Sequence, residues 1–108
     1  MDWTTVGTLS DMQANLGVCA LVAGKQIALF YLPADGAIYA LGNYDPIGKA
    51  NVLSRGIVGD VQGRRVVASP LYKHHYDLQT GECLEDSSVR VEHYAVQLQG
   101  ERVCVCLA

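Results

Sequence analysis

Turn signals recur along this chain every few residues and cut its apolar residues into short runs of strand length. Thr4–Gly7 opens the series. Val18–Ala23 and Gln26–Leu32 are rich in Val, Ile, Leu and Phe and join at Gly24-Lys25, which is a hairpin signal. Pro33-Ala34-Asp35-Gly36 then forms a turn, because Pro presets φ and Gly accepts φ > 0. Ala37–Leu41 continues the meander and Arg64–Ala68 adds a further short strand. At the other end Tyr94–Leu98 alternates, Gln99-Gly100-Glu101 turns, and Arg102–Leu107 returns. No long stretch keeps a 3.6-residue period and no internal repeat is present. Ser10–Gln13 fits a capping box, so one helical turn is expected there. Gly56-x-x-Gly59 reads as a turn signal, far too weak for a dinucleotide site. The spacing predicts an all-β antiparallel sandwich or small barrel with little helix.

The 108 residues suit a single domain spanning 1–108, large enough to bury a core without staples. The hydrophobic fraction of 50% and charged fraction of 18% argue against disorder. A net charge of −3 offers no footprint for nucleic acid or an anionic membrane, so neither is expected as a partner. The longest apolar stretch, Val18 to Leu32, is interrupted by Gly24, Lys25 and Gln26 and is too short to span a bilayer. Met1-Asp2-Trp3-Thr4-Thr5 carries an acid where a signal peptide carries bases, which predicts a cytoplasmic protein. Cys19, Cys83, Cys104 and Cys106 have no CxxC or zinc-ribbon spacing. Cys104 and Cys106 share a strand face and read as small core hydrophobes; a two-thiolate metal clip lacks further ligands nearby.

Two irregular stretches separate the meander from the closing hairpin. The first runs Gly42-Asn43-Tyr44-Asp45-Pro46-Ile47-Gly48-Lys49-Ala50-Asn51-Val52-Leu53-Ser54-Arg55-Gly56. The second runs Ser69-Pro70-Leu71-Tyr72-Lys73-His74-His75-Tyr76-Asp77-Leu78-Gln79-Thr80-Gly81. Loops of this kind on a rigid β scaffold commonly carry function. They resemble the cluster-binding loops of Rieske domains, in which two Cys and two His, one of each per loop, ligate a [2Fe–2S] centre. Both prolines and the Tyr-Asp-Leu-x-Thr-Gly tail of that pattern remain. The ligands do not: Asp45 and Ser69 stand at the thiolate positions, and Ile47 and Tyr72 at the imidazole positions. His74 and His75 are near, but Cys83 falls beyond the Gly81 turn, so a slip in register does not restore the set. The resemblance implies a Rieske-like fold with two loops at one tip and no cluster of its own.

Asn43-Tyr44-Asp45-Pro46, Asn51-Val52-Leu53-Ser54-Arg55-Gly56, Ser69-Pro70-Leu71 and Asp77-Leu78-x-Thr80-Gly81-x-Cys83-Leu84 together resemble one family in particular. It is that of the small subunits of assimilatory NAD(P)H-dependent nitrite reductases, and the likeness runs from about Trp3 to Leu107. It implies a cytoplasmic subunit without catalytic residues of its own, accompanying a large subunit. That large subunit carries FAD, a [4Fe–4S] cluster and sirohaem and reduces nitrite to ammonium. Two rival readings differ in class. One is a stand-alone Rieske-type ferredoxin, or the same fold as a binding module for another partner. The other is a mononuclear-metal or ligand binder using Asp45, His74 and His75.

Asp45 has two readings, as an Asx-turn acceptor of backbone N–H groups or as the partner of Lys73 in a buried pair bridging the loops. His74 and His75, being adjacent, face opposite ways in extended backbone and read as separate surface imidazoles. Tyr44, Tyr72 and Tyr76 are contact candidates because Tyr combines a large ring with a polar tip. One or two of them are expected to fill the space of the missing cluster, Tyr72 in part. Arg55, Lys73 and His74 complete the expected partner-contact set with Asp45.

Overall fold

A computed structural model of the chain describes residues 2–107. Among these residues eleven strands form: β1 (Trp3–Thr8), β2 (Gly17–Val22), β3 (Lys25–Leu32), β4 (Ala37–Gly42), β5 (Tyr44–Asp45), β6 (Ala50–Asn51), β7 (Ile57–Val61), β8 (Arg64–Ala68), β9 (His75–Asp77), β10 (His93–Gln99) and β11 (Arg102–Cys106). The main sheet has the order β1-β11-β10-β4-β3-β2, all neighbours antiparallel. Its two outer strands, β1 and β2, lie alongside each other without a ladder, so the sheet is a nearly closed barrel. A three-stranded sheet, β7-β8-β9, and the two-residue hairpin β5–β6 complete the fold.

β3 explains the unbroken apolar run Ile27–Leu32. Successive side chains of a strand face opposite ways. Ala28, Phe30 and Leu32 join a cluster with Leu41, Leu53, Val67, Tyr76, Leu78, Cys83 and Val91. Ile27 and Leu29 face the other way, to Val22, Ala40 and Val105 inside the barrel. The first cluster is what fastens the small sheet, and with it the loop ends, to the barrel. Cys83, Cys104 and Cys106 are all buried, consistent with their reading as small apolar residues.

The turns sit close to where composition places them. The β2–β3 hairpin turns at Ala23-Gly24, with φ of 51° and 79°, the positive-φ pair that a tight hairpin requires. The helical turn near the N-terminus lies at Leu9–Asp11, earlier than the expected Ser10–Gln13, because Asp11 Oδ2 accepts the Thr8 N–H at 2.9 Å and caps it. Gly56-x-x-Gly59 is not a turn. Ile57–Val61 is a strand with Gly59 opposite Val66, and the turn is at Gln62-Gly63. The strand is hard to read because it is an outer strand: Ile57 faces solvent, so apolar alternation is lost.

Candidate functional site

The first loop is held at its base by Asn43, a buried side chain. Its Nδ2 donates to Gln26 Oε1 at 3.0 Å and its Oδ1 accepts the Ser54 N–H at 2.7 Å. From there the chain forms the β5–β6 hairpin, in which Tyr44 pairs with Asn51 and Asp45 with Ala50. The Lys49 N–H donates to the Asp45 carbonyl at 2.7 Å and closes the turn. The second loop leaves β8 at Ser69, whose N–H donates to the His74 carbonyl at 2.8 Å. Ser69 Oγ accepts the Leu71 N–H at 3.1 Å.

The two loops meet on one carboxylate. Asp45 is 0% exposed. Its Oδ2 accepts the Ser69 hydroxyl at 2.5 Å. Its Oδ1 accepts the Tyr76 hydroxyl at 2.6 Å and the Ile47 N–H at 2.9 Å. Ser69 and Tyr76 are themselves fully buried. Burial works against the charge on Asp45, but the Ser69 and Tyr76 hydroxyls and the Gly48 and Ile47 N–H groups outweigh it and hold its pKa below the ordinary carboxylate value. Burial, and then the hydrogen bond to Asp45, push the Tyr76 phenol far above its usual value. The two shifts agree: an ionised acceptor faces a phenol that keeps its proton. Gly48 packs against this hub, where a Cβ would lie 2.8 Å from Asp45 Oδ2 and 2.9 Å from Leu71 Cδ1.

These residues do not fit a [2Fe–2S] cluster. Both Asp45 oxygens are engaged, and Ser69 Oγ donates to one of them while accepting Leu71 N–H. Ile47 offers no side-chain donor atom, and Tyr72 is 76% exposed. Among the described residues, no group of three or more His, Cys, Asp or Glu is arranged to hold a metal. A metal site on Asp45, His74 and His75 is likewise not assembled. His75 Nδ1 lies 2.6 Å from Glu85 Oε2, while His74 Nδ1 is buried with no hydrogen-bond partner. The buried Cys83 thiol donates to Glu85 Oε1 at 3.8 Å rather than to His75, and burial raises its pKa, so the Glu–His pair does not activate it.

Two expectations are corrected. Tyr72 does not fill the space between the loops; it projects into solvent, and Tyr76 fills it from β9. Asp45 does not pair with Lys73. Lys73 is exposed and forms no ion pair among the described residues, because hydroxyl donors already satisfy the Asp45 carboxylate without the cost of burying an ammonium. The Asx-turn reading of Asp45 holds through Ile47 N–H. Of the other contact candidates, Tyr44, Arg55 and Lys73 are exposed and His74 is half-buried. The tail after Tyr76 is scaffold. Asp77, buried, accepts Arg64 Nε at 2.8 Å, Gln79 N–H at 2.7 Å and Thr80 N–H at 2.9 Å.

Barrel, small sheet and paired loops define a Rieske-type domain whose two loops are joined by a hydrogen-bonded carboxylate. Residues 2–106 match the family described as Rieske-like [2Fe-2S] domain. The nitrite reductase (NADH) small subunit of Salmonella typhimurium is 39% identical over 105 residues, covering 91% of this chain and 97% of that protein. The crystal structure of an NADH-dependent nitrite reductase small subunit from Mycobacterium tuberculosis superposes with a TM-score of 0.90 at 42% identity, covering 96% of this chain and 93% of that one. A nitrite reductase [NAD(P)H] large subunit from Klebsiella oxytoca is 35% identical over 103 residues, which are 95% of this chain but 11% of that protein. The chain belongs to the nitrite reductase small-subunit family.

Proposed function

We propose that this chain is the accessory small subunit of a cytoplasmic NAD(P)H-dependent nitrite reductase, and that it works by binding the large subunit through its loop tip. The observation that carries this reading is the Asp45–Ser69–Tyr76 network, which occupies the space where an electron-carrying cluster would be gripped. A Rieske fold so altered keeps its two-loop surface and gives up electron transfer. The Klebsiella oxytoca relative supports the partner: a segment like this whole chain lies within a large-subunit polypeptide. The large subunit would hold the FAD, [4Fe–4S] cluster and sirohaem, and this chain would supply binding free energy, stabilising that subunit or shaping access to its centres.

The test is co-expression of the tagged chain with the large subunit, followed by size-exclusion chromatography and NAD(P)H-dependent nitrite reduction. A stable complex is expected, with lower activity when the small chain is omitted. Full activity of the large subunit alone, with no complex formed, would refute the proposal.

A further inference from the structure

We infer that the two loop apexes form a preorganised cationic and aromatic docking surface, built from Tyr44, Lys49, Tyr72 and Lys73, for an acidic patch on the large subunit. This rests on the accessory-subunit reading and adds the chemistry of the contact. Charge is the first observation. Of the eight Lys and Arg, Lys25, Arg64, Arg65 and Arg90 hold ion pairs. Lys49, Arg55, Lys73 and Arg102 hold none among the described residues, and three of these four lie on the two loops. The only acid on either loop before Asp77 is Asp45, which is buried. The exposed acids Glu85 and Asp86 lie beyond the second loop, bonded to His75 and Ser88. On the loops themselves, as far as His74, the exposed charged side chains Lys49, Arg55 and Lys73 are all cationic, in a protein of net charge −3.

Backbone conformation is the second, independent observation. Lys49, Tyr72 and Lys73 all have positive φ, at 58°, 58° and 57°. This region strains any residue with a Cβ and suits glycine. Such strain persists only where the surrounding structure holds it, as it also does in the turns at Ala23 and Gln62. Here it holds Tyr72, at 76% exposure, and Lys73 out from the surface. Tyr44, at 48% exposure, stands on the neighbouring hairpin. The apexes abut, since a Cβ on Gly48 would touch Leu71. Exposed Tyr rings and unpaired cations on adjoining apexes match the anchors of protein interfaces, and a basic patch steers an acidic partner.

The experiment measures binding of the full chain to the purified large subunit by surface plasmon resonance at several salt concentrations. Lys49→Glu with Lys73→Glu is expected to weaken binding by about tenfold or more, mainly through slower association, and to flatten the salt dependence. Arg102→Glu, the same charge change on the β10–β11 hairpin, is expected to change it less than about twofold. Tyr72→Gly with Lys73→Gly is expected to raise the thermal midpoint while weakening the complex, opposite signs that a purely structural role would not produce. A wild-type complex whose affinity ignores salt and the Lys49/Lys73 reversal would overturn the inference and leave the accessory role standing. Absence of any wild-type complex would overturn both. Self-association of the chain that is lost in the same variants, with large-subunit binding unchanged, would assign the surface to a second copy and also overturn it.

Discussion

Tyr76→Phe removes a single oxygen from the hub and leaves the buried ring in place. In the wild type that hydroxyl donates at 2.6 Å to the Asp45 carboxylate, which is wholly shielded from water. Hydrogen bonds to charged groups contribute about 1.5–3 kcal/mol, and the lost donor leaves the carboxylate with Ser69 and the backbone N–H groups of Ile47 and Gly48. A loss of ~2 kcal/mol is expected, which for a domain of this size lowers the melting temperature by roughly 8–16 °C. Tyr94→Phe is the matched control: Tyr94 OH donates to Glu92 Oε2 at 2.7 Å, but in solvent contact. Its loss is expected to cost under ~0.5 kcal/mol, because water replaces the partner. The assay is urea unfolding of both variants followed by circular dichroism at neutral pH. Equal, small losses at the two positions would refute the claim that the buried carboxylate hub joins the loops.

Stability is also expected to fall at both ends of the pH scale. Asp45 and Asp77 have folded pKa values below their unfolded value of about 3.9, so their contribution is complete above that pH and is lost as pH falls through the lower folded values. Tyr76 is raised above its unfolded value of about 10, so its contribution is complete below pH ~10 and is lost as pH rises beyond it. Urea midpoints across pH 2–11 would check both limbs, and Tyr76→Phe should abolish much of the alkaline one. Gly48→Ala should destabilise by about 1–3 kcal/mol, since its methyl group would press on Asp45 Oδ2 and Leu71. A Gly48→Ala midpoint equal to wild type would show that the loops do not abut closely.

The barrel strands were legible because burial on one or both faces leaves a pattern. Ile27–Leu32 is apolar throughout since β3 faces two cores, and the closing hairpin shows its turn at Gln99-Gly100-Glu101. β7 left no such trace, with Ile57 exposed and Gly59 in open space. At the site, the residue types on the two loops could be read one by one. The network that joins them could not, because three hydrogen-bonded side chains from residues 45, 69 and 76 are adjacent only through the fold. Position alone suggested Tyr72 as the ring between the loops. The positive φ at Tyr72 and Lys73 turns that ring outward, and β9 delivers Tyr76 instead. The signal that was present is burial: Tyr76 sits two residues before Leu78 in a strand-like segment, and both are core residues.

Asp45 and its donors join the two loops, and the residues gathered there do not fit an iron–sulfur cluster. Iron and acid-labile sulfide should be assayed on the chain purified anaerobically from its native host, alongside an electron paramagnetic resonance spectrum of the dithionite-reduced protein. A colourless protein is expected, with neither element near stoichiometry and no reduced-cluster signal. Two irons and two sulfides per chain, with a Rieske-type signal, would contradict it.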